Sequence, residues 1–140
     1  MKSTPTYLVL VFLFISHLSF GQQMPIDFSD PSENFSSFLG SSFSLSTDPE
    51  NPNNQVGQFF NDGSNSWQGF YLDLQRAIDL DFQNTISLSF YGFDSNAHTV
   101  LIKLENGQNP DVEVTQNIPS GGGWTNNVVF DFSQAVLTDG

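Results

Sequence analysis

The chain has 140 residues with 3 Lys+Arg against 15 Asp+Glu, a formal net charge of −12, and no cysteine. That charge excludes unassisted binding to nucleic acid or to an anionic lipid surface, because counterion release needs basic side chains. The missing cysteine excludes disulfide scaffolds, thiolate zinc sites, iron–sulfur clusters and thiol nucleophiles, while 38% hydrophobic and 14% aromatic content supplies a core.

Lys2 and the apolar stretch Leu8–Phe20, closed by Ser19-Phe20-Gly21, have the layout of a secretory signal peptide over residues 1–21. The stretch is too short for the ~20 residues of a spanning helix, so no membrane span is expected after cleavage. The mature domain is expected over 22–140, secreted or at the cell surface. Export without cysteine suits a bacterial exterior. Arg76 and Lys103 are then the only cations left, and His98 the only histidine.

Further along, Asp48-Pro-Glu-Asn-Pro-Asn-Asn and Asn61-Asp-Gly-Ser-Asn carry loop chemistry. Period-two alternation follows. Over 67–74 it sets Phe70, Leu72 and Leu74 against Trp67, Gly69, Tyr71 and Asp73. Leu74–Ile78 is the one helix candidate, a connector into Asp79-Leu-Asp81. Over 85–93 Ile86, Leu88 and Phe90 face inward and Ser87, Ser89 and Tyr91 outward. Over 98–105 Val100, Ile102 and Leu104 alternate with Thr99, Leu101, Lys103 and Glu105. Asn106–Pro110 and Pro119–Gly123 are turns around a strand at 111–115. Finally, 124–132 sets Val128, Phe130 and Phe132 against Asn127, Val129 and Asp131. Half-buried alternation at this spacing predicts an all-β chain, an antiparallel β-sandwich of jelly-roll type.

The conspicuous side chains admit two readings each. Trp67 and Trp124, at predicted strand starts, are sugar-stacking platforms or caps on the core. Tyr71 and Asp73 share a face with Trp67, a grouping suited to hydroxyl-rich ligands, with Gln68 and Asn126 as amide partners. Lys103 either donates to a sugar hydroxyl or neutralises neighbouring acids. His98 lacks a histidine or cysteine partner for a transition metal. The loop carboxylates (Asp27, Asp30, Asp48, Glu50, Asp62, Asp94) are turn residues or hard oxygen ligands for calcium. Elimination argues against catalysis: there is no Glu-x-Asp-x-x-Glu strand, no Gly-x-Ser-x-Gly elbow and no phosphate-cradling glycine loop.

Several segments in order carry a resemblance: Pro25-Ile-Asp-Phe28 as an opening strand, Asp48–Gln58 as a loop leading into the next, Trp67–Leu74 with Ile78-Asp-Leu80, Val100–Glu105, and Trp124 with Val129–Ser133. Together they resemble the carbohydrate-binding, galactose-binding-like jelly-roll modules of secreted bacterial glycan-processing proteins. The resemblance implies a non-catalytic module that binds polysaccharide or oligosaccharide and accompanies an enzyme or surface protein in the same chain. It also implies a structural calcium, with Asp27, Asp30 and Asp131 as its carboxylates. Against that pattern the chain is expected to lack its last one or two strands and any C-terminal domains of the parent. A neutral β-glucan is the expected ligand, given the negative charge; the rival is a structural or adhesion sandwich with no glycan site.

Overall fold

A computed structural model describes residues 25–29, 34–74, 76–107 and 110–138. These are all-β: nine strands and one single-turn 3-10 helix are found among them. Every strand pairing is antiparallel. Among the described residues no helix is long and apolar enough to cross a membrane. They fall into two compact units, one within Met1–Gln75 and one within Arg76–Gly140.

The first unit holds two strand pairs. β1 (Phe35–Phe38) pairs with β4 (Gly69–Leu72), and β2 (Ser42–Asp48) pairs with β3 (Asn51–Phe60). In β2 the apolar Phe43 and Leu45 alternate with Ser42, Ser44 and Ser46, with Phe43 half-buried and Leu45 50% exposed. Phenylalanine joins the pairs. The Phe35 ring stacks on Phe43 with centroids 4.5 Å apart, and Phe43 and Phe70 lie 4.7 Å apart. Phe59 and Phe28 close the cluster at 5.4 Å from Phe70 and 5.5 Å from Phe35. Gly57 makes room for it, since a Cβ there would stand 2.5 Å from Phe43 Cζ and 2.8 Å from Phe28 Cε1.

Two sequence expectations fail in this unit. Pro25–Phe28 is not a strand, and Phe28 takes a positive φ of 62°; its ring is used in the cluster instead. The loop expected over Asp48–Asn54 shrinks to Pro49 and Glu50, with β3 starting at Asn51. Asp48, buried at 9% exposure, organises that turn. Its carboxylate accepts from Glu50 N at 2.9 Å and from Asn54 Nδ2 at 3.0 Å. The ladder shifts register between Thr47 and Asp48, and that irregularity is where a strand tolerates Pro52. Leu74–Ile78, expected as a connector into Asp79-Leu-Asp81, holds no helix among its described residues; Gln75 lies outside them.

In the second unit β5 (Thr85–Gly92) pairs with β8 (Gly123–Asp131), while β7 (Asp111–Ile118) lies between β6 (His98–Leu104) and β9 (Val136–Thr138). The predicted alternation holds in β5, where Ile86, Leu88 and Phe90 are half-buried and Ser87 and Ser89 exposed. Phe130, opposite Ile86, is fully buried, and Ile118 and the 3-10 turn's Phe132 are nearly so. Phe90 meets His98 of the other sheet at a centroid distance of 5.4 Å.

The loops at that end interlock. His98 Nε2 lies 3.1 Å from Asp94 Oδ1, and Gly121 N donates to Ser95 O at 3.2 Å. Gly122, at φ +72°, is required there: a Cβ would come within 2.8 Å of the Asp94 carbonyl oxygen.

Much of the acidic and amide content is spent on turns. Asp27, Asp62, Asp79, Asp94 and Asp131 each accept from the backbone N–H two residues on, as do Asn51, Asn61 and Asn65. These are Asx turns, and they explain why the loops are rich in Asp and Asn.

Candidate functional site

The aromatic surface with most internal support lies on the second unit, and a β-bulge builds it. Leu88 pairs with Val128 but Phe90 pairs with Thr125, so β8 carries one residue more than β5 across this stretch. Asn127 sits in that stretch at φ +56°, a left-handed conformation that asparagine accepts more readily than most residues. By parity alone Trp124 shares the inward face with Val128 and Phe130. The extra residue reverses the parity, and Trp124 becomes the cross-strand partner of outward Tyr91.

Trp124 and Tyr91 meet edge to face at 5.3 Å and 73°, and Tyr91 meets Phe93 at 5.0 Å and 66°. Edge contacts of this kind add about 0.5–1.5 kcal/mol beyond the burial of area. Phe93 keeps 72% of its surface exposed. Asn126, in the bulge, is exposed beside this trio in sequence. Of the three rings, sequence reasoning picked out only Trp124. Tyr91-Gly-Phe93 follows the outward parity of β5, which is the signal that was available.

The other expected ligand-binding residues are placed differently. Trp67 stands in a turn before β4 rather than on the strand, its N–H bonded to Asn65 Oδ1, and it is 71% exposed. Tyr71 is on β4 opposite Ser36 and 51% exposed. No ring contact joins Trp67 to Tyr71 among the described residues, and Asp73 lies past the end of β4. Gln68 is engaged within the loop: its Nε2 donates to Leu39 O at 2.9 Å and Asp62 Oδ1 at 2.7 Å, and its Oε1 accepts from Gly63 N.

Lys103 faces outward, as its alternation implies, but among acids. Its Nζ is 3.0 Å from both Glu105 and Asp111 and 3.9 Å from Glu113. Hydrogen bonds to Glu105 and then Asp111 hold its ammonium above the ordinary value, so it stays charged. Two of its donors are already spoken for.

Asp27 and Asp131, two of the carboxylates that the resemblance assigns to calcium, each anchor an Asx turn. Asp27 Oδ1 accepts from both the N–H and the hydroxyl of Ser29, and Asp131 Oδ1 accepts from Ser133 N. Asp30 lies outside the described residues. Among the described residues no group of three or more His, Asp or Glu side chains is placed to hold a metal, and no step below is routed through one.

The Asx-turn carboxylates make the loops acid-sensitive. Asp62 is held below its ordinary value of 3.8 by the Ser64 hydroxyl, the Ser64 N–H and the Gln68 amide. A depressed folded value means stability that is complete above the ordinary value and lost as pH falls through the folded one. Asp62→Ala is therefore expected to lower the thermal midpoint at pH 6, with the gap from wild type closing as pH falls below the ordinary 3.8 and through the depressed folded value. Parallel melting curves across that range check it.

No protein-family model matches the chain, and neither a curated protein nor a solved structure matches it.

Proposed function

We propose that the protein is a secreted, non-catalytic carbohydrate-binding module of jelly-roll type, which holds a neutral polysaccharide and targets an attached enzyme or surface protein to it. The observation that carries this reading is the Tyr91–Phe93–Trp124 trio, in which Phe93 and Trp124 each meet Tyr91 edge to face and the rings are partly open to solvent. The apolar C–H faces of a pyranose stack on such rings, while the exposed amide of Asn126 serves its hydroxyls. Binding per site is weak, because sugar hydroxyls leave equally good bonds with water. A neutral β-glucan fits the charge: the chain has too few cations to hold uronates or sulfates. Residues 1–21 serve as the export signal in this reading.

A second reading, a structural or adhesion sandwich, is favoured by one observation. Gln68 and Lys103, two of the polar groups suited to sugar hydroxyls, make internal bonds instead.

Affinity electrophoresis through neutral β-glucan gels separates the two. The wild type is expected to be retarded, and Trp124→Ala or Phe93→Ala to migrate freely with an unchanged circular dichroism spectrum. Loss on Trp67→Ala instead moves the site to the first unit. A folded wild type that no polysaccharide retards supports adhesion.

A further inference from the structure

We propose that Asn106 is a site of spontaneous covalent modification: its side-chain amide closes on the backbone nitrogen of Gly107, and water opens the resulting ring to an aspartyl or isoaspartyl residue. Asparagine is among the thermolabile side chains, and the residue after it governs how readily it reacts. Asn106-Gly107 is the only Asn-Gly step in the chain. Glycine has no Cβ to obstruct the approach of its nitrogen. The fold leaves this step open. Asn106 and Gly107 follow the end of β6 at Leu104, off the ladder, and both are exposed. Gly107 takes a φ of +75°, and a Cβ built on it would meet nothing within 4 Å. Among the described residues no acceptor is found for its N–H. Lys103 ties the two ends of this loop, its Nζ 3.0 Å from Glu105 before the step and 3.0 Å from Asp111 at the start of β7. A change between them is taken up in the loop and not in the β6–β7 ladder.

Asp-Gly steps react through the same ring, and Asp62-Gly63 is the one whose residues are described. There the fold ties down both reacting groups. Gly63 N donates to Asn61 Oδ1 at 2.7 Å and to Gln68 Oε1 at 3.1 Å. Asp62 Oδ1 accepts from Ser64 N at 2.9 Å and from Gln68 Nε2 at 2.7 Å. The Ser64 hydroxyl and these bonds also hold the Asp62 carboxyl below its ordinary value. It therefore stays ionised at neutral pH, and a carboxylate is a poor electrophile. The neutral amide of Asn106 has no such protection.

Water is the only co-reactant the step needs. A solvent base removes the Gly107 N–H proton, and the nitrogen attacks Asn106 Cγ. The side-chain nitrogen leaves as ammonia, taking up a proton from solvent, and a succinimide ring remains. Water then opens it. Cleavage of the bond from Cγ to nitrogen gives aspartate, whereas cleavage at the main-chain carbonyl gives isoaspartate, with one more carbon in the backbone. Nothing is oxidised or reduced. Either product adds a negative charge to a chain already at −12, next in sequence to Glu105, one of the acids that share Lys103.

The full chain is incubated folded, in mildly acidic and mildly alkaline buffer, and in parallel unfolded in urea. Cleavage after glutamate releases residues 106–113, and mass spectrometry reads the gain from amide to acid. Labelling by an isoaspartyl methyltransferase reads Asp62 as well. The folded chain is expected to convert at Asn106 at the rate seen in urea, and faster in alkali, because the nitrogen must first lose its proton. Asn109 in the same peptide is an internal control, since it precedes Pro110, which has no N–H to close the ring. Asn106→Gln should lose the conversion, its longer side chain closing a larger ring less readily. Isoaspartate at Asp62 should appear in urea and not in the folded chain. Conversion of Asn106 in urea but not in the folded chain, or isoaspartate at Asp62 in the folded chain to the same extent as at Asn106, would overturn the proposal. Because Asn106 and Gly107 are not part of the Tyr91–Phe93–Trp124 surface, free migration of Trp124→Ala through glucan bears on the glycan reading and not on this one.

Discussion

Phe130→Ala is expected to cost about 3–5 kcal/mol, the usual range for truncating a buried phenylalanine. Phe130 is the largest fully buried side chain among the described residues, at 0% exposure. It lies opposite Ile86 across the β5–β8 ladder. The buried apolar set is otherwise small, Ile118 and Phe132 being its other members, so few neighbours can collapse into the space left behind. The penalty combines lost transfer energy with that cavity, and a thin core has little stability in reserve. Urea denaturation followed by near-ultraviolet circular dichroism reads it. Val129→Ala, one residue along and 41% exposed, is the control and should change stability by about 0.5 kcal/mol or less. Equal effects of the two would mean that β8 does not present alternate faces to core and solvent.

Asn127→Val is expected to do two things together. A β-branched residue at φ +56° is a genuine steric outlier, so stability should fall by about 1–2 kcal/mol. Relief of that strain removes the bulge, and the parity of Trp124 then reverts toward the inner face, away from Tyr91. Retention on β-glucan should go with it. Asn127→Gly, which accepts a positive φ without penalty, should preserve both the fold and retention. The near-ultraviolet signal of the Tyr91–Trp124 edge contact gives an independent check: lost in the valine variant, kept in the glycine one. Retention by the valine variant equal to wild type would show that the bulge does not serve the aromatic surface.

Some of this was legible in the residues alone. Strands β5, β6 and β8 follow from alternation of Ile86, Leu88, Phe90, then Val100, Ile102, Leu104, then Val128 and Phe130. β2 was equally legible, since Phe43 and Leu45 alternate with serines, but it stands in a stretch whose loop chemistry drew attention to Asp48-Pro-Glu-Asn-Pro. There the local signals misled. Turn-forming residues over seven positions suggested a long loop, whereas Asp48 concentrates the turn into Pro49 and Glu50 by bonding Glu50 and Asn54. The site was less legible than the fold. Trp67 and Tyr71 share parity in sequence, yet a turn at Ser66–Trp67 takes the tryptophan off the strand.

Length, charge and the absent cysteine bounded the chemistry, and period-two alternation with Asx-rich loops determined an all-β chain of antiparallel strands. Those properties are local: they depend on spacing along the backbone and on side chains bonding residues two apart. What the tertiary structure alone decided is where each outward side chain arrives. One extra residue at Asn126–Asn127 reversed the face of Trp124, cross-strand register brought Tyr91 beside it, and pairing of β6 with β7 surrounded Lys103 with acids. Register and bulges depend on a partner strand distant in sequence. A single strand read by itself contains its alternation but not the neighbour against which that alternation is counted.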